Sequence, residues 1–137
     1  GGAGLVAGIA AAVAPRGVRV VGVEPTGAAS LQLALEAGEP VSIAPLTRAG
    51  GLDAPYAGDN ALAVCRAAGV EAVQVSDEAI EEAMRRVYLD AKLACEPAGA
   101  AAVAAVLEGQ IEGENVVAVV SGGNVGPENA SAILAGS

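Results

Sequence analysis

Two glycine-rich turns contain the residues best suited to bind a ligand. The first is GGAG at positions 1–4, which leads directly into an apolar stretch typical of a helix. Backbone N–H groups crowd together in such a loop and, with the positive end of the following helix, bind a phosphate group. The second is SGGNVG at 121–126, directly after the apolar run NVVAVV. Ligands of open α/β sheets gather at the carboxyl ends of strands, so Ser121 would present a hydroxyl to a ligand there.

Three other features could take part in chemistry. CEPAGA at 95–100 places Glu96 at the start of a predicted helix, where the helix dipole stabilises the ionised carboxylate and simple capping is the alternative role. AGGLD at 49–53 holds a glycine pair inside a long loop, where an ordinary turn is the alternative. Lys92 is the one lysine of the chain. We expect it in the middle of a helix with its amine in solvent, not as a catalytic group.

The first turn also fits a dinucleotide-binding fingerprint. Gly2, Gly4 and Ala7 match GxGxxA, and Glu24 ends a predicted strand about twenty residues later, where an acid would hold a ribose hydroxyl. That fingerprint calls for a strand before the first glycine, and the sequence starts at that glycine. A flexible N-terminus that runs into a helix is a further interpretation.

The composition limits the class of protein. The 137 residues predict a single domain, and 53% hydrophobic with 1% aromatic residues predicts a core of Ala, Val, Leu and Ile. A net charge of −9 without Phe or Trp disfavours nucleic-acid binding.

The longest apolar stretches fall short of the roughly 20 residues that span a membrane, and no signal peptide is expected. Two well-separated cysteines predict buried, reduced thiols and a cytoplasmic protein, while the lack of histidine disfavours zinc and His-dependent nucleophiles.

Helices and strands are predicted to alternate. Two apolar runs, Val18–Glu24 and 115–120, are typical of buried strands, and residues 72–75 are predicted as a short strand. Short helices are predicted over Leu5–Ala14, 28–37, 61–68 and Ala98–Leu107, with a long loop over 39–60. This order predicts a three-layer α/β/α fold with a mostly parallel sheet.

The most regular helix is predicted over residues 76–95 and ends before Pro97. Ser76 is expected as its N-cap, with Asp77 and Glu78 at the positive helix end. One face is expected to be buried, and it contains Ile80, Ala83, Val87, Ala91 and Ala94.

Taken in order, the motifs resemble the second half of a threonine/serine dehydratase. The succession is GGAGLVAGIA, VVGVEP, AGGLD, VSDEAI, EPAGAAAVAAVL and VVAVVSGGNVG, and it covers essentially the whole chain. That family consists of fold-type II enzymes dependent on pyridoxal 5′-phosphate, and it is related to tryptophan synthase β and threonine synthase. The resemblance implies that residues 1–137 form the C-terminal portion of the cofactor-binding catalytic domain.

The resemblance also implies the residues that bind the cofactor. Backbone amides of the family's tetraglycine loop fall on Gly1, Gly2, Ala3, Gly4 and the following Leu5, with Ala3 in place of a glycine. Ser121 matches the serine that faces the pyridine nitrogen, Glu96 the glutamate of EPAGA, and Gly51 the glycine of an A-D-G loop whose aspartate is Gly50 here. Some relatives bind a divalent cation after VEP; Glu24 and Ala28 match that site, but Ser30 stands at its aspartate, so no metal is expected.

The implied activity is deamination of a hydroxy-amino acid such as threonine or serine, by β-elimination, to a 2-oxo acid and ammonia. The family's Schiff-base lysine lies in the first half, so the chain alone is expected to be inactive and to need that half as a partner. A homo-oligomer is expected for the intact enzyme. The alternatives are a non-catalytic structural or assembly fragment, a threonine synthase-like enzyme, and an NAD-binding Rossmann module.

Overall fold

The computed structural model describes residues 1–136, which form six α-helices around a short parallel sheet. The helices are α1 (Gly4–Val13), α2 (Ser30–Ala37), α3 (Asp59–Ala67), α4 (Asp77–Ala91), α5 (Pro97–Leu107) and α6 (Pro127–Ala135). The strands are β1 (Val21–Pro25) and β2 (Glu71–Val75), and short 3₁₀ turns cover Ala14–Arg16, Thr26–Ala28 and Gly50–Leu52. The helical content and parallel strands confirm the predicted α/β class.

The two strands separate two apolar cores. They pair in parallel, with Val21 opposite Glu71 and Pro25 opposite Val75. Because successive strand residues face opposite sides, Val23 and Val73 pack with α4, α5 and α6, whereas Val20 and Ala72 pack with α1, α2 and α3. Helices therefore cover both faces of the sheet, as expected for a three-layer fold.

The predicted third strand at 115–120 is wrong. Within residues 1–136 the only sheet is the β1–β2 pair, and 115–120 is assigned to no helix or strand. Val117 in this segment is 88% exposed, although its apolar composition predicted burial. A strand exists only where a neighbour supplies ladder hydrogen bonds, and composition does not report whether that neighbour is present.

The longest helix begins as predicted but ends early. Ser76 caps it by accepting a hydrogen bond from the Ala79 N–H (3.1 Å). It ends at Ala91, where Lys92 turns into the left-handed conformation (φ 59°) and the Leu93 N–H reaches back to the Val87 carbonyl. Lys92 is thus at a helix end and not in the middle of a helix. As a consequence Ala91 and Ala94 are exposed and only the first part of the predicted apolar face is buried.

One helix was missed. Helix α6 follows the second glycine-rich turn in a stretch for which only a loop was predicted. Its signals are ordinary ones: Pro127 stands at the first helical position and Gly136 ends the helix at φ 72°. Ile133 is the buried residue of α6 and packs into the core shared with α4 and α5.

Candidate functional site

One cavity of about 880 Å³ contains every residue that the sequence singled out for cofactor binding. Its walls come from the start of α1, the turn at 50–52, the start of α5, the edge of β1 and the extended segment 111–121. The eight predicted residues on these walls are Gly1, Gly2, Ala3, Gly4, Leu5, Gly51, Glu96 and Ser121. Gly1 and Ser121, which are 120 positions apart in the sequence, therefore line the same cavity.

The glycine-rich loop, residues 1–4, presents amides and not carbonyls to this cavity. The Gly1 carbonyl accepts a hydrogen bond from Ser30 Oγ (2.8 Å), and the Gly2 carbonyl accepts one from the Gly58 N–H (3.2 Å). In a trans peptide the N–H points away from the C=O, so the amides of Gly2 and Ala3 are directed away from these donors. Neither Ser30 nor Gly58 lines the cavity, whereas residues 1–5 do.

The start of α1 adds further donors to the same place. Ala3 is its N-cap and adopts the left-handed conformation (φ 62°), and the helix begins at Gly4. The first intrahelical bond is donated by the Ala7 N–H to the Ala3 carbonyl. Within residues 1–136 the amides of residues 2–5 therefore have no acceptor, as is usual for the first turn of a helix. This arrangement suits an anion, because unpaired amides and the helix dipole act together.

The turn at 50–52 brings Gly51 against the start of α5. A Cβ built on Gly51 would lie 2.8 Å from the Ala98 Cβ and 3.5 Å from Glu96 Oε1. A Cβ on Gly1 would in turn lie 3.4 Å from the Gly51 carbonyl oxygen. Gly51 therefore lies between the glycine-rich loop and the start of α5. A side chain at this position would collide with Ala98, so the close packing requires glycine.

The second glycine-rich turn is seated on the start of α5. The Glu96 N–H donates to the Gly122 carbonyl (2.9 Å), and a Cβ on Gly122 would overlap Glu96 Oε1. A Cβ on Gly99 would lie 2.6 Å from the Gly122 carbonyl oxygen. Ser121, the residue before this contact, is exposed on the cavity wall. The packing therefore fixes Gly122, the residue after Ser121, against Glu96, and both Ser121 and Glu96 line the cavity.

Glu24 is hydrogen-bonded within the protein through its carboxylate and caps the start of α2. Its carboxylate is 3% exposed and accepts hydrogen bonds from the Leu31 N–H (2.8 Å) and the Gln32 N–H (2.9 Å) at the start of α2. Both oxygens are engaged by the protein, which does not support the ribose-binding role of a dinucleotide fingerprint. Among residues 1–136, no three His, Cys, Asp or Glu side chains are grouped as a metal site.

The remaining nucleophiles lie elsewhere. Lys92 Nζ donates to the Leu89 carbonyl (2.6 Å) at the exposed end of α4, and Lys92 is not among the cavity residues. Cys65 and Cys95 are free and buried, as predicted. Burial, with the neighbouring Glu96 carboxylate, raises the pKa of Cys95, so its thiol stays protonated. The sequence did not indicate that Ser30 and Gly58 hold the glycine-rich loop. Ser30 is 29 positions from Gly1, and Gly58 is 56 positions from Gly2, so no local pattern connects them.

No helix within residues 1–136 has the length and hydropathy of a membrane span. The fold and the cavity together define an α/β protein with a glycine-rich loop of unpaired amides at a helix start. Residues 1–122 match the family described as pyridoxal-phosphate dependent enzymes. That match covers most of the chain, and the chain belongs to this family.

Named relatives agree with the family. The chain is 38% identical to the phenylserine dehydratase of Ralstonia pickettii and 42% identical to the L-threonine dehydratase biosynthetic IlvA of Mycobacterium tuberculosis, each over 123 residues and 85% of this chain. It spans 37% and 29% of the length of these two relatives.

Solved structures show the same fold. A threonine deaminase from T.th. superposes with a TM-score of 0.84 at 37% identity and covers 92% of this chain. Maize serine racemase superposes with a TM-score of 0.84 at 34% identity and covers 93%. The chain spans 48% and 43% of these two structures, so it corresponds to less than half of each.

Proposed function

We propose that residues 1–137 are the C-terminal portion of the catalytic domain of a pyridoxal-phosphate-dependent ammonia-lyase that deaminates a hydroxy-amino acid. The observation that carries this proposal is the single cavity, which unites the glycine-rich loop, Glu96 and Ser121 in a chain of this family. A cytoplasmic location is part of the proposal and fits two buried free thiols.

The donor set fits the cofactor. The unpaired amides of residues 2–5 would bind its phosphate, and the exposed Ser121 hydroxyl would hydrogen-bond its ring nitrogen. Glu96 and Gly51 line the same cavity, so the Glu96 carboxylate would lie close to the bound cofactor. When bound, pyridoxal phosphate supplies the electron sink that elimination of a hydroxyl group requires. A neutral hydroxyl at Ser121 would leave the ring nitrogen unprotonated.

Threonine and serine are the substrates we propose. The two curated relatives described above are dehydratases of phenylserine and of threonine, and both of these amino acids carry a β-hydroxyl. Gly50 stands where the A-D-G loop of the resemblance has an aspartate, and a Cβ there would meet no atom within 4 Å. Because Gly50 lacks the carboxylate of that aspartate, we propose that contacts with the substrate differ from those of the family at this position.

The rest of the catalytic domain would enter the sheet beside β1. The cavity runs along the β1 edge opposite β2, since residues 18–24 line it and no β2 residue does. Across it, segment 115–121 makes no backbone hydrogen bond to any described residue. Helices α1 and α5 line the two faces of this gap with apolar side chains, which suits strands buried on both faces. We propose that the first half of the domain supplies these strands and the catalytic lysine, and that the complete enzyme is a homo-oligomer.

Cofactor binding is tested by titrating the chain with pyridoxal phosphate and, separately, with inorganic phosphate. We expect saturable binding of both, with phosphate competing for the same site. Ser121→Ala should raise the Kd for pyridoxal phosphate about fivefold and leave that for phosphate unchanged, because one hydrogen bond to the ring is lost. Ser131→Ala, an exposed position outside the cavity, is the matched control. Failure of pyridoxal phosphate to bind would refute the proposed site.

Catalysis is tested by co-expression with the first half of the mycobacterial threonine dehydratase. We expect 2-oxo acid production from threonine only when both parts are present. Activity of this chain alone, abolished by Lys92→Ala, would instead assign the catalytic amine to Lys92.

A structural or assembly role is the second candidate. Val116, Val117 and Val119 are exposed beside the β1 edge, and an unpaired edge with an apolar lining promotes self-association. Sedimentation of the chain, with and without the first half of the catalytic domain, distinguishes the assembly role from the enzyme role. The assembly role requires a defined oligomer of this chain that persists when the first half is added. The enzyme role requires the first half to dissociate that oligomer by binding to the chain.

A further inference from the structure

Ser30 connects the glycine-rich loop to the end of β1. Its side chain is completely buried, at 0% exposure, and Oγ lies 2.8 Å from the Gly1 carbonyl oxygen and 3.3 Å from Glu24 Oε1. One hydroxyl proton serves these two acceptors, and the shorter contact is the one to Gly1. We propose that Ser30 is a positioning residue that turns the loop amides toward the cavity; this inference rests on the proposed phosphate site.

The orientation of the first peptide follows from this contact. With the Gly1 carbonyl held by Ser30, the Gly2 N–H of the same planar peptide points the opposite way. Ser30 lies outside the cavity lining and Gly2 lies within it. Glycine on both sides of this peptide permits either sign of φ, so contacts decide its orientation: the Gly1 ammonium lies 3.6 Å from Glu24 Oε1, and Ser30 holds the Gly1 carbonyl. Ser30 therefore sets the direction in which the Gly2 N–H points.

Glu24 holds Ser30 in place. Ser30 is the first residue of α2, and the Glu24 carboxylate accepts the next two amides of that helix, from Leu31 and Gln32. These amides would otherwise be unpaired at the helix start, and the negative charge favours the positive helix end. β1, α2 and the loop are thereby linked through one buried carboxylate and one hydroxyl. Displacement of α2 would move the Ser30 Oγ and release the Gly1 peptide.

The second peptide has a separate anchor. The Gly2 carbonyl accepts from the Gly58 N–H, a backbone donor at the start of α3, which no side-chain substitution removes. Loss of the Ser30 hydroxyl should therefore free the Gly2 amide while the Ala3 amide stays directed. The expected effect is a partial loss of anion affinity, not its abolition.

The test compares Ser30→Ala with Ser76→Ala in binding of inorganic phosphate by calorimetry. Both changes remove one hydroxyl at the start of a helix and outside the cavity lining, but the Ser76 hydroxyl bonds within α4, whereas the Ser30 hydroxyl bonds to the glycine-rich loop. We expect Ser30→Ala to raise the phosphate Kd about five- to tenfold, the effect of one lost donor, and Ser76→Ala to leave it unchanged. A phosphate Kd for Ser30→Ala within twofold of the parent would overturn the inference.

Two further measurements keep the test decisive. Ser30→Cys retains a weak donor of similar size and should give an intermediate Kd, which also serves if Ser30→Ala does not fold. The crystal structure or amide NMR of the folded Ser30 variants should show a rotated or averaged Gly1–Gly2 peptide without any ligand. An unchanged peptide plane would refute the positioning role even if phosphate binding fails in the parent chain. Binding by the parent and by Ser30→Ala alike would refute the positioning role and leave the proposed function intact.

Discussion

The two glycine-rich turns of this protein use glycine for opposite reasons. In the loop at 1–4, a Cβ built on Gly2 or Gly4 would meet no atom within 4 Å. In the turn at 121–126, a Cβ on Gly122 would overlap the Glu96 carboxylate. The first turn is open and exposes its amides, whereas the second is packed and brings a helix start against backbone.

This difference separates ligand binding from assembly of the site. The open loop keeps unpaired donors for an anion, so its glycines matter for affinity. The packed turn holds Gly122 against the start of α5, so Gly122 and Gly99 beneath it matter for stability. Substitutions at the two turns should therefore change different measurements.

The largest effect is expected for Gly99→Ala. The new methyl group would lie 2.6 Å from the Gly122 carbonyl oxygen and 2.8 Å from its nitrogen, and backbone cannot yield as a side chain does. We expect a loss of about 2 kcal/mol in the free energy of unfolding, measured by urea denaturation. Gly8→Ala in α1 is the control, because no atom lies within 4 Å and alanine should add about 0.5–1 kcal/mol there. Equal stabilities of the two variants would show that the second turn is not tightly packed.

Gly122→Ala should be milder and should be rescued by a second change. Its methyl group meets the end of the Glu96 side chain, which can rotate away at a cost of about 1 kcal/mol. In a double-mutant cycle with Glu96→Ala, we expect most of this cost to disappear, since the obstructing carboxylate is gone. Additive free energies of unfolding would contradict the contact.

Ala3→Gly should stabilise the open turn slightly. Alanine at φ 62° carries left-handed strain that glycine does not, and the gain is offset by the greater freedom of glycine in the unfolded chain. We expect a net gain of about 0.5 kcal/mol in the free energy of unfolding. Lys92→Gly, at φ 59° after α4, provides a comparison outside the cavity and should gain a similar amount. A loss of stability in both variants would contradict the strain argument.

Gly2→Ala should have the smallest effect on stability, within about 0.5 kcal/mol by urea denaturation, because its Cβ meets open space. The same methyl group stands in the loop that would receive the phosphate, so we expect the phosphate Kd to rise severalfold. Reduced stability with unchanged phosphate binding would reverse the roles assigned to the two turns.

Local signals predicted most of the elements, but not α6, and they predicted a strand at 115–120 that is absent from the described residues. The Ser76 cap is a contact between near neighbours, and its residue type alone identified it. The apolar run 115–120 resembled a buried strand equally well, yet its burial depends on a neighbouring strand that no local pattern encodes. The early end of α4 was also not predicted, because the left-handed residue after this helix is Lys92 and not the glycine that usually marks a helix end.

The amino-acid sequence was enough to predict the α/β class, the glycine-rich loop, and Glu96 and Ser121 as candidate site residues. These depend on residue type, periodicity and motif order along the chain. Only the tertiary structure decided that these residues line one cavity, that Glu24 caps α2, and that Ser30 holds the Gly1 carbonyl. The physical reason is that each contact joins two different elements, from seven positions apart for Glu24 and Leu31 to 29 for Ser30 and Gly1. Their meeting is set by how the helices pack on the sheet.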